Sequence, residues 1–199
     1  FHELTALEYF SMGAVSLSTA AAGHPLTCFG ANLAFRSSLF HNIGGYGKTI
    51  HQLSGDDDLL LHRFSALTQH EIRFNTLPGG RVMTPPPPTV RDFIRQRIRF
   101  SSKHPSYPLN SLPLLFFIYL LHLLLLGGVV CTITGVQPFA VFTLPALAAK
   151  GLADISLLAA CSHRLENRRL LPWYPLAFFP HLLYVTVIPV LAQLLPRRW

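Results

Sequence analysis

Ser54-Gly55-Asp56-Asp57-Asp58-Leu59-Leu60-Leu61 places three carboxylates in a row directly before an apolar run. Only nine acidic residues occur in 199, so the run concentrates negative charge, and mutual repulsion is expected to raise the proton affinity of at least one member. Such a cluster costs stability and persists where a metal, a cationic partner or a proton-transfer task uses it. The plainer reading is an acidic helix start, capped by Ser54 or Asp56, with the other carboxylates favoured by the helix dipole. Both readings hold at once where a helix begins at the end of a strand, a usual place for a catalytic carboxylate.

Upstream of the run, residues 1–22 mix Leu4, Leu7, Phe10 and Met12 with small residues and read as a helix ending near Gly23-His24-Pro25. Leu26 to Phe29 is a strand candidate, and Gly44, Gly45 and Gly47 mark a bend with positive φ. Downstream, Leu59 to Thr68 is expected to be helical, with strands at Glu71–Phe74 and Arg81–Thr84 around the Pro78-Gly79-Gly80 turn. Pro85 to Pro88 cannot continue either element and read as a stiff spacer. The helix that follows, Thr89 to Lys103, carries Val90, Phe93, Ile94, Ile98 and Phe100 on one arc, with Arg91, Arg95 and Arg99 opposite. It reads as an interfacial helix with its basic flank near phosphates. Arg97 breaks the pattern, because it falls within the apolar arc, where a charge either snorkels or meets an anion.

Half of the residues are hydrophobic and 13% are charged. No Lys, Arg, Asp or Glu occurs from Pro105 to Ala149 or from Leu170 to Pro196. Segments Ser111–Thr134, Pro138–Ala160 and Trp173–Leu195 are each long enough to cross a hydrocarbon core of roughly 30 Å at about 1.5 Å per residue. Lys150 and Asp154 stand four apart in the second segment and read as a structural intramembrane pair. Pro175, Pro180 and Pro189 make the third segment a candidate for a kinked or partly re-entrant helix. The basic residues before the first segment share a side with Arg164, Arg168 and Arg169 after two crossings, which places both clusters in the cytoplasm and Arg197 and Arg198 outside if the third segment crosses. The formal charge of +7 suits an anionic membrane surface or a phosphorylated substrate. Nucleic acid is disfavoured, since interleaved basic and aromatic residues are confined to one helix. Cys28, Cys131 and Cys161 are odd in number and widely spaced, and suggest neither a disulfide framework nor a zinc site.

In this order, Gly30-Ala31-Asn32-Leu33-Ala34-Phe35-Arg36, Gly44-Gly45-Tyr46, Ser54-Gly55-Asp56-Asp57, Thr84-Pro85-Pro86 and Gln96-Arg97-Ile98-Arg99-Phe100-Ser101-Ser102-Lys103, followed by membrane segments, resemble membrane-bound family 2 glycosyltransferases, relatives of cellulose and hyaluronan synthases. The resemblance implies an α/β fold plus transmembrane α-helices. Residues 1–88 would be the C-terminal part of a GT-A, Rossmann-like domain, 89–105 an amphipathic interfacial helix and 106–199 the membrane region. It implies inverting transfer of a sugar from a nucleotide-diphosphate donor to a glycan or lipid acceptor, in an integral membrane protein of a bacterial inner membrane with its catalytic part cytoplasmic.

Matched residue by residue, Asp57 is the implied base, and Asp56 if the run is aligned one step earlier. Asp58, Asn32, Gln96, Arg97, Arg99 and Phe100 are the implied substrate contacts, with arginine forks suited to a leaving diphosphate. Arg97 is expected to point into the catalytic domain docked on its helix. Phe100 stands where the family has Trp, keeping a stacking face and losing the indole donor. The donor-binding half and the Asp-x-Asp that holds Mg²⁺ or Mn²⁺ are expected before Phe1, so no metal ligand is assigned to Asp56, Asp57 or Asp58. The chain alone is therefore expected to be inactive, with Leu4, Leu7 and Phe10 exposed for want of central strands. Two competing readings are a prenyl or phospholipid-headgroup transferase using an aspartate-rich Mg²⁺-diphosphate site, and a non-enzymatic membrane subunit centred on Lys150 and Asp154.

Overall fold

The computed structural model describes residues 1–51, 54–80, 82–103, 106–109, 111–136 and 138–195. Arg81, which opens one expected strand, and the terminal Arg197 and Arg198 lie outside those residues. Among the described residues seven α-helices follow one another: α1 His2–Ala21, α2 Ser37–Asn42, α3 Asp56–Leu67, α4 Val90–Ser101, α5 Leu112–Ile133, α6 Phe139–Ser162 and α7 Tyr174–Leu194. Short 3-10 turns lie at Gly30–Asn32, Gly47–His51, Pro78–Gly80 and Arg168–Trp173.

The expected Rossmann-like α/β unit is not formed. Among the described residues there is no strand and no sheet. Leu26–Phe29 and Glu71–Phe74 lie in neither helix nor strand; a strand exists only through a ladder with a neighbour, and other groups meet the first of these backbones. The Leu26 N–H reaches Thr19 Oγ1 at 3.4 Å, and the Thr27 carbonyl accepts from Ser16 Oγ at 2.6 Å. The N–H groups of Cys28 and Gly30, two residues apart and so on one edge, donate to carboxylates of α3. Glu71 and Arg73 are exposed and pair with each other at 2.6 Å, between the half-buried Ile72 and Phe74.

α1 buries Leu7, Phe10, Ala14 and Leu17, a stripe with helical spacing, against Leu158 and Cys161 of α6 and Leu170 of the following turn. Leu7 and Phe10 are therefore covered by the apolar helices rather than left exposed. Full burial of each stabilises by about 1.5–3 kcal/mol. Gly44, Gly45 and Gly47 have φ of 73°, 59° and 54°, and Arg63 of α3 holds that bend by donating to the carbonyls of Ile43 and Gly45. α4 is capped by Thr89, whose Oγ1 accepts from the Asp92 N–H at 3.1 Å while its hydroxyl donates to the Asp92 carboxylate. Its Ile98 packs on Ile188 and Ala192 of α7, so protein rather than lipid covers that part of its apolar arc.

α5, α6 and the stretch Arg168–Leu194 are each long and apolar enough to cross a membrane. Of their most apolar windows, 11% is buried within the protein in the first two and 22% in the third, which makes α7 the inner helix, in contact with α1, α4 and α5. α7 is continuous from Tyr174 to Leu194 with Pro180 and Pro189 inside it. The expected Lys150–Asp154 pair forms, and Tyr174 donates to Asp154 Oδ2 at 2.9 Å.

Candidate active site around the acidic run

Gly55 opens α3 with φ of 90°, and its carbonyl accepts from the Leu59 N–H at 2.8 Å. The N-cap residue is Gly55, which has no side chain to cap with, so neither Ser54 nor Asp56 has the capping role. A Cβ on Gly55 would collide with the methylenes of Lys103. The glycine both permits the left-handed turn and lets Lys103 lie across the start of the helix.

The three carboxylates meet three environments. Asp56 is exposed. Asp57, with 23% of its side chain exposed, is held by backbone: Oδ2 accepts from the Gly30 N–H at 3.1 Å and Oδ1 from the Asp58 N–H at 2.8 Å. Lys103 Nζ stands 3.7 Å from Asp57 Oδ1. A Cβ at Gly30 would sit 3.0 Å from Asp57 Oδ2, so only glycine allows this approach without displacement. Asp58 is 1% exposed. Its Oδ1 accepts from Thr27 Oγ1 at 3.0 Å and the Cys28 N–H at 2.8 Å; its Oδ2 accepts from Tyr107 at 2.7 Å and is ion-paired with Lys103.

Burial pushes the Asp58 carboxyl up, but the Lys103 charge and the donors from Lys103, Tyr107 and Cys28 outweigh it, and Asp58 stays below the ordinary carboxylate range. For this member the effect expected of crowding is reversed, because a cation and three further donors face it. Burial, then Asp58 and Asp57, drives the Cys28 thiol far up and keeps it neutral. Burial and Asp58 do the same to the Tyr107 hydroxyl, which remains a donor. His62, whose ring stands 4.6 Å from that of Tyr107, is lowered by burial against the pull of Asp58.

The arginine motif forms a second cluster. Arg97, 4% exposed, ion-pairs with Glu8 of α1. Its guanidinium carbon stands 5.0, 4.8 and 5.3 Å from the ring centroids of Tyr9, Phe93 and Phe100. Gln96 Nε2 donates to Tyr9 at 2.9 Å, and Tyr184 of α7 donates to Glu8 Oε1 at 2.9 Å. Arg97 thus points inward, and the anion it meets is Glu8. Phe100 joins the two clusters, with Arg99 at 4.9 Å and Lys103 Nζ at 5.7 Å from its ring. Asn32 lies apart, exposed, with its amide on the Gly80 carbonyl.

Among the described residues no three His, Cys, Asp or Glu side chains are placed to hold a metal. Asp57 and Asp58 converge on an ammonium instead, so they do not fit the divalent ion that the resemblance implies. Lys103, Tyr107, Thr27 and His62 were not singled out by sequence. The available signal was scarcity: Lys48 and Lys103 are the only lysines before Lys150, and a buried acidic run needs a cation. No protein-family model matches the chain, and neither the curated proteins nor the solved structures contain a match to it.

Proposed function

We propose that this protein takes part in inverting sugar transfer from a nucleotide-diphosphate donor to an acceptor hydroxyl at a membrane, with Asp57 as the base. The reading rests on the order of the motif residues, and one observation carries it: of the three carboxylates, Asp57 alone is both fixed by backbone donors and open to solvent. Asp58 is saturated with partners, and Asp56 is exposed at the helix start.

In this mechanism an acceptor hydroxyl gives its proton to a free lone pair of the Asp57 carboxylate. The acceptor oxygen then bonds to the anomeric carbon from the face opposite the diphosphate, whose C–O bond breaks and which leaves with the bonding pair. Asp58 takes no proton; it keeps Lys103 in place beside Asp57. Arg99, half-exposed on Phe100, is the motif arginine free to meet negative charge, since Glu8 already neutralises Arg97. The resembled enzymes use a glycan or a lipid as acceptor.

The test is transfer of radiolabelled sugar from a nucleotide sugar by membranes from cells expressing the gene. Asp57→Asn is expected to lower turnover by about 10²- to 10⁴-fold with donor binding retained. Wild-type turnover in Asp57→Asn would remove the assignment, and absence of transfer with every donor would remove the activity.

A further inference from the structure

The three long apolar helices each carry an ionisable residue partway along, and their register brings these residues to one level. His122 is eleventh of the 22 residues of α5 and Lys150 twelfth of the 24 of α6, so each lies roughly 15 Å from its helix end at about 1.5 Å per residue. Gly128 of α5 faces Thr143 of α6. His122 precedes the first by six residues and Lys150 follows the second by seven, which on antiparallel helices returns them to the same depth. From α7, the His181 ring stands 5.6 Å from that of His122 at 60°, and Tyr174 donates to Asp154. Both histidines lie within electrostatic reach of Lys150 and Asp154.

His122 Nδ1 is 2.7 Å from the carbonyl of Ile118 in its own helix. A carbonyl only accepts, so Nδ1 carries the hydrogen and Nε2 presents a lone pair. The residue is 6% exposed, and its Nε2 has no hydrogen-bond partner among the described residues. An unmet basic nitrogen at mid-bilayer depth is costly, and ionisable groups placed so deep mark ion and proton sites.

We propose that this layer is an intramembrane proton-binding site. His122 Nε2 takes a proton from hydronium, which is left as water, and the ring becomes an imidazolium that keeps its Nδ1–H on Ile118. The Asp154 carboxylate balances the added charge, the Lys150 ammonium opposes it, and His181 is the neighbouring base that shares the proton. Beyond these, Tyr174 faces Asp154, and Tyr184 stands edge-on to His181 at 5.1 Å with its hydroxyl on Glu8, the partner of Arg97. Nothing here depends on sugar transfer.

The experiment is ¹⁵N NMR of histidine-labelled protein in lipid nanodiscs, titrated from about pH 8 to about pH 5, the range in which histidine charges. His122 is expected to pass from the Nδ1–H tautomer to the imidazolium. Asp154→Asn should lower its proton affinity about tenfold, a shift of about one pH unit, and Lys150→Met should raise it by a similar factor. Lys150→Met leaves Asp154 bonded to Tyr174, so one variant retains a partner for the carboxylate if the other fails to fold. A neutral His122 across the range overturns the proposal, as does a midpoint that both variants leave unmoved. An Nε2 that accepts a hydrogen bond from water without charging overturns it as well.

Discussion

Asp58 and Glu8 meet the same kinds of partner: each is a buried carboxylate ion-paired to a cation and bonded to a tyrosine hydroxyl, Lys103 and Tyr107 for one, Arg97 and Tyr184 for the other. Their proton affinities nevertheless move in opposite directions. Burial raises Glu8, and Arg97 and Tyr184 do not fully offset it. Burial raises Asp58 too, yet its cation and donors bring it below the ordinary value. The visible difference is on the second oxygen, where Asp58 also receives the Thr27 hydroxyl and the Cys28 N–H. Where a cation and a phenol leave Glu8 raised, the Cys28 N–H adds to the Lys103 charge and the Tyr107 hydroxyl in holding Asp58 low.

The most severe way to break this contrast is to delete the cations. Lys103→Met removes the largest influence that holds Asp58 charged and leaves an enclosed carboxyl without its cation, and is expected to cost about 3–5 kcal/mol. Arg97→Met is expected to cost less, about 1–3 kcal/mol, because Glu8 answers by taking up a proton. Denaturation followed by helical circular dichroism in micelles measures both. A larger loss for Arg97→Met would show that the two carboxylates do not differ as described. Adding Asp58→Asn to Lys103→Met should restore part of the stability, since the uncompensated charge is then gone.

Acidity offers a gentler test. Asp58 has a lowered folded-state value, so its share of stability is present above the unfolded value of about 3.9 and disappears as pH falls through the folded one. Glu8 has a raised value, so its share is complete below about 4.3 and is lost as pH rises through the folded value. Through Glu8, stability is therefore expected to rise as pH falls from the folded value toward about 4.3. His62, lowered by burial, works the other way below about 6.5. The clean quantity is the wild-type slope minus that of Glu8→Gln, and a zero difference would refute the assignment. Amide exchange at Cys28, whose N–H is on Asp58, should stay protected across this window, because Asp58 keeps its charge until pH falls below the ordinary value of about 3.9.

The same contrast separates what sequence could disclose from what it could not. α4 to α7 were legible because each signal is local: a capping Thr89, a 3.6-residue stripe, an uncharged apolar run. Residues 24–88 were legible only in part: the helix expected over Leu59–Thr68 and the positive-φ bend at Gly44, Gly45 and Gly47 are there, and among the described residues the expected strands are not. The pattern Leu26-Thr27-Cys28-Phe29 reads as strand, but strand identity resides in a partner, and here the partners are Ser16, Thr19 and Asp58. The acidic run was conspicuous, while its cation, Lys103, lies 45 positions beyond Asp58 and nothing in the spacing joins them. Arg97 was half legible. A charge on an apolar arc announces a buried anion, but not that the anion is Glu8, an unremarked acid on a helix rich in small residues.

The smallest expected effect comes from Tyr184, and with Tyr107 it sharpens the comparison because each variant removes one hydroxyl and keeps the ring. Tyr107→Phe takes a donor from a carboxylate that stays charged, so the loss should resemble that of a hydrogen bond to a charged group, about 1.5–3 kcal/mol. It should also loosen Lys103, which shares Oδ2 of Asp58 with that hydroxyl. Tyr184→Phe takes a donor from Glu8, which can neutralise, and the retained ring keeps its edge-on contacts with Phe93 at 6.1 Å and His181 at 5.1 Å. Its cost should stay near 0.5–1.5 kcal/mol, about that of a neutral hydrogen bond. Unfolding of both variants at pH 7 and again near pH 5 distinguishes the cases: the Tyr184→Phe deficit should shrink on acidification as Glu8 takes up its proton, while the Tyr107→Phe deficit should not. Equal deficits that respond equally to pH would mean that the two extra donors on Asp58 do not set the difference between the sites.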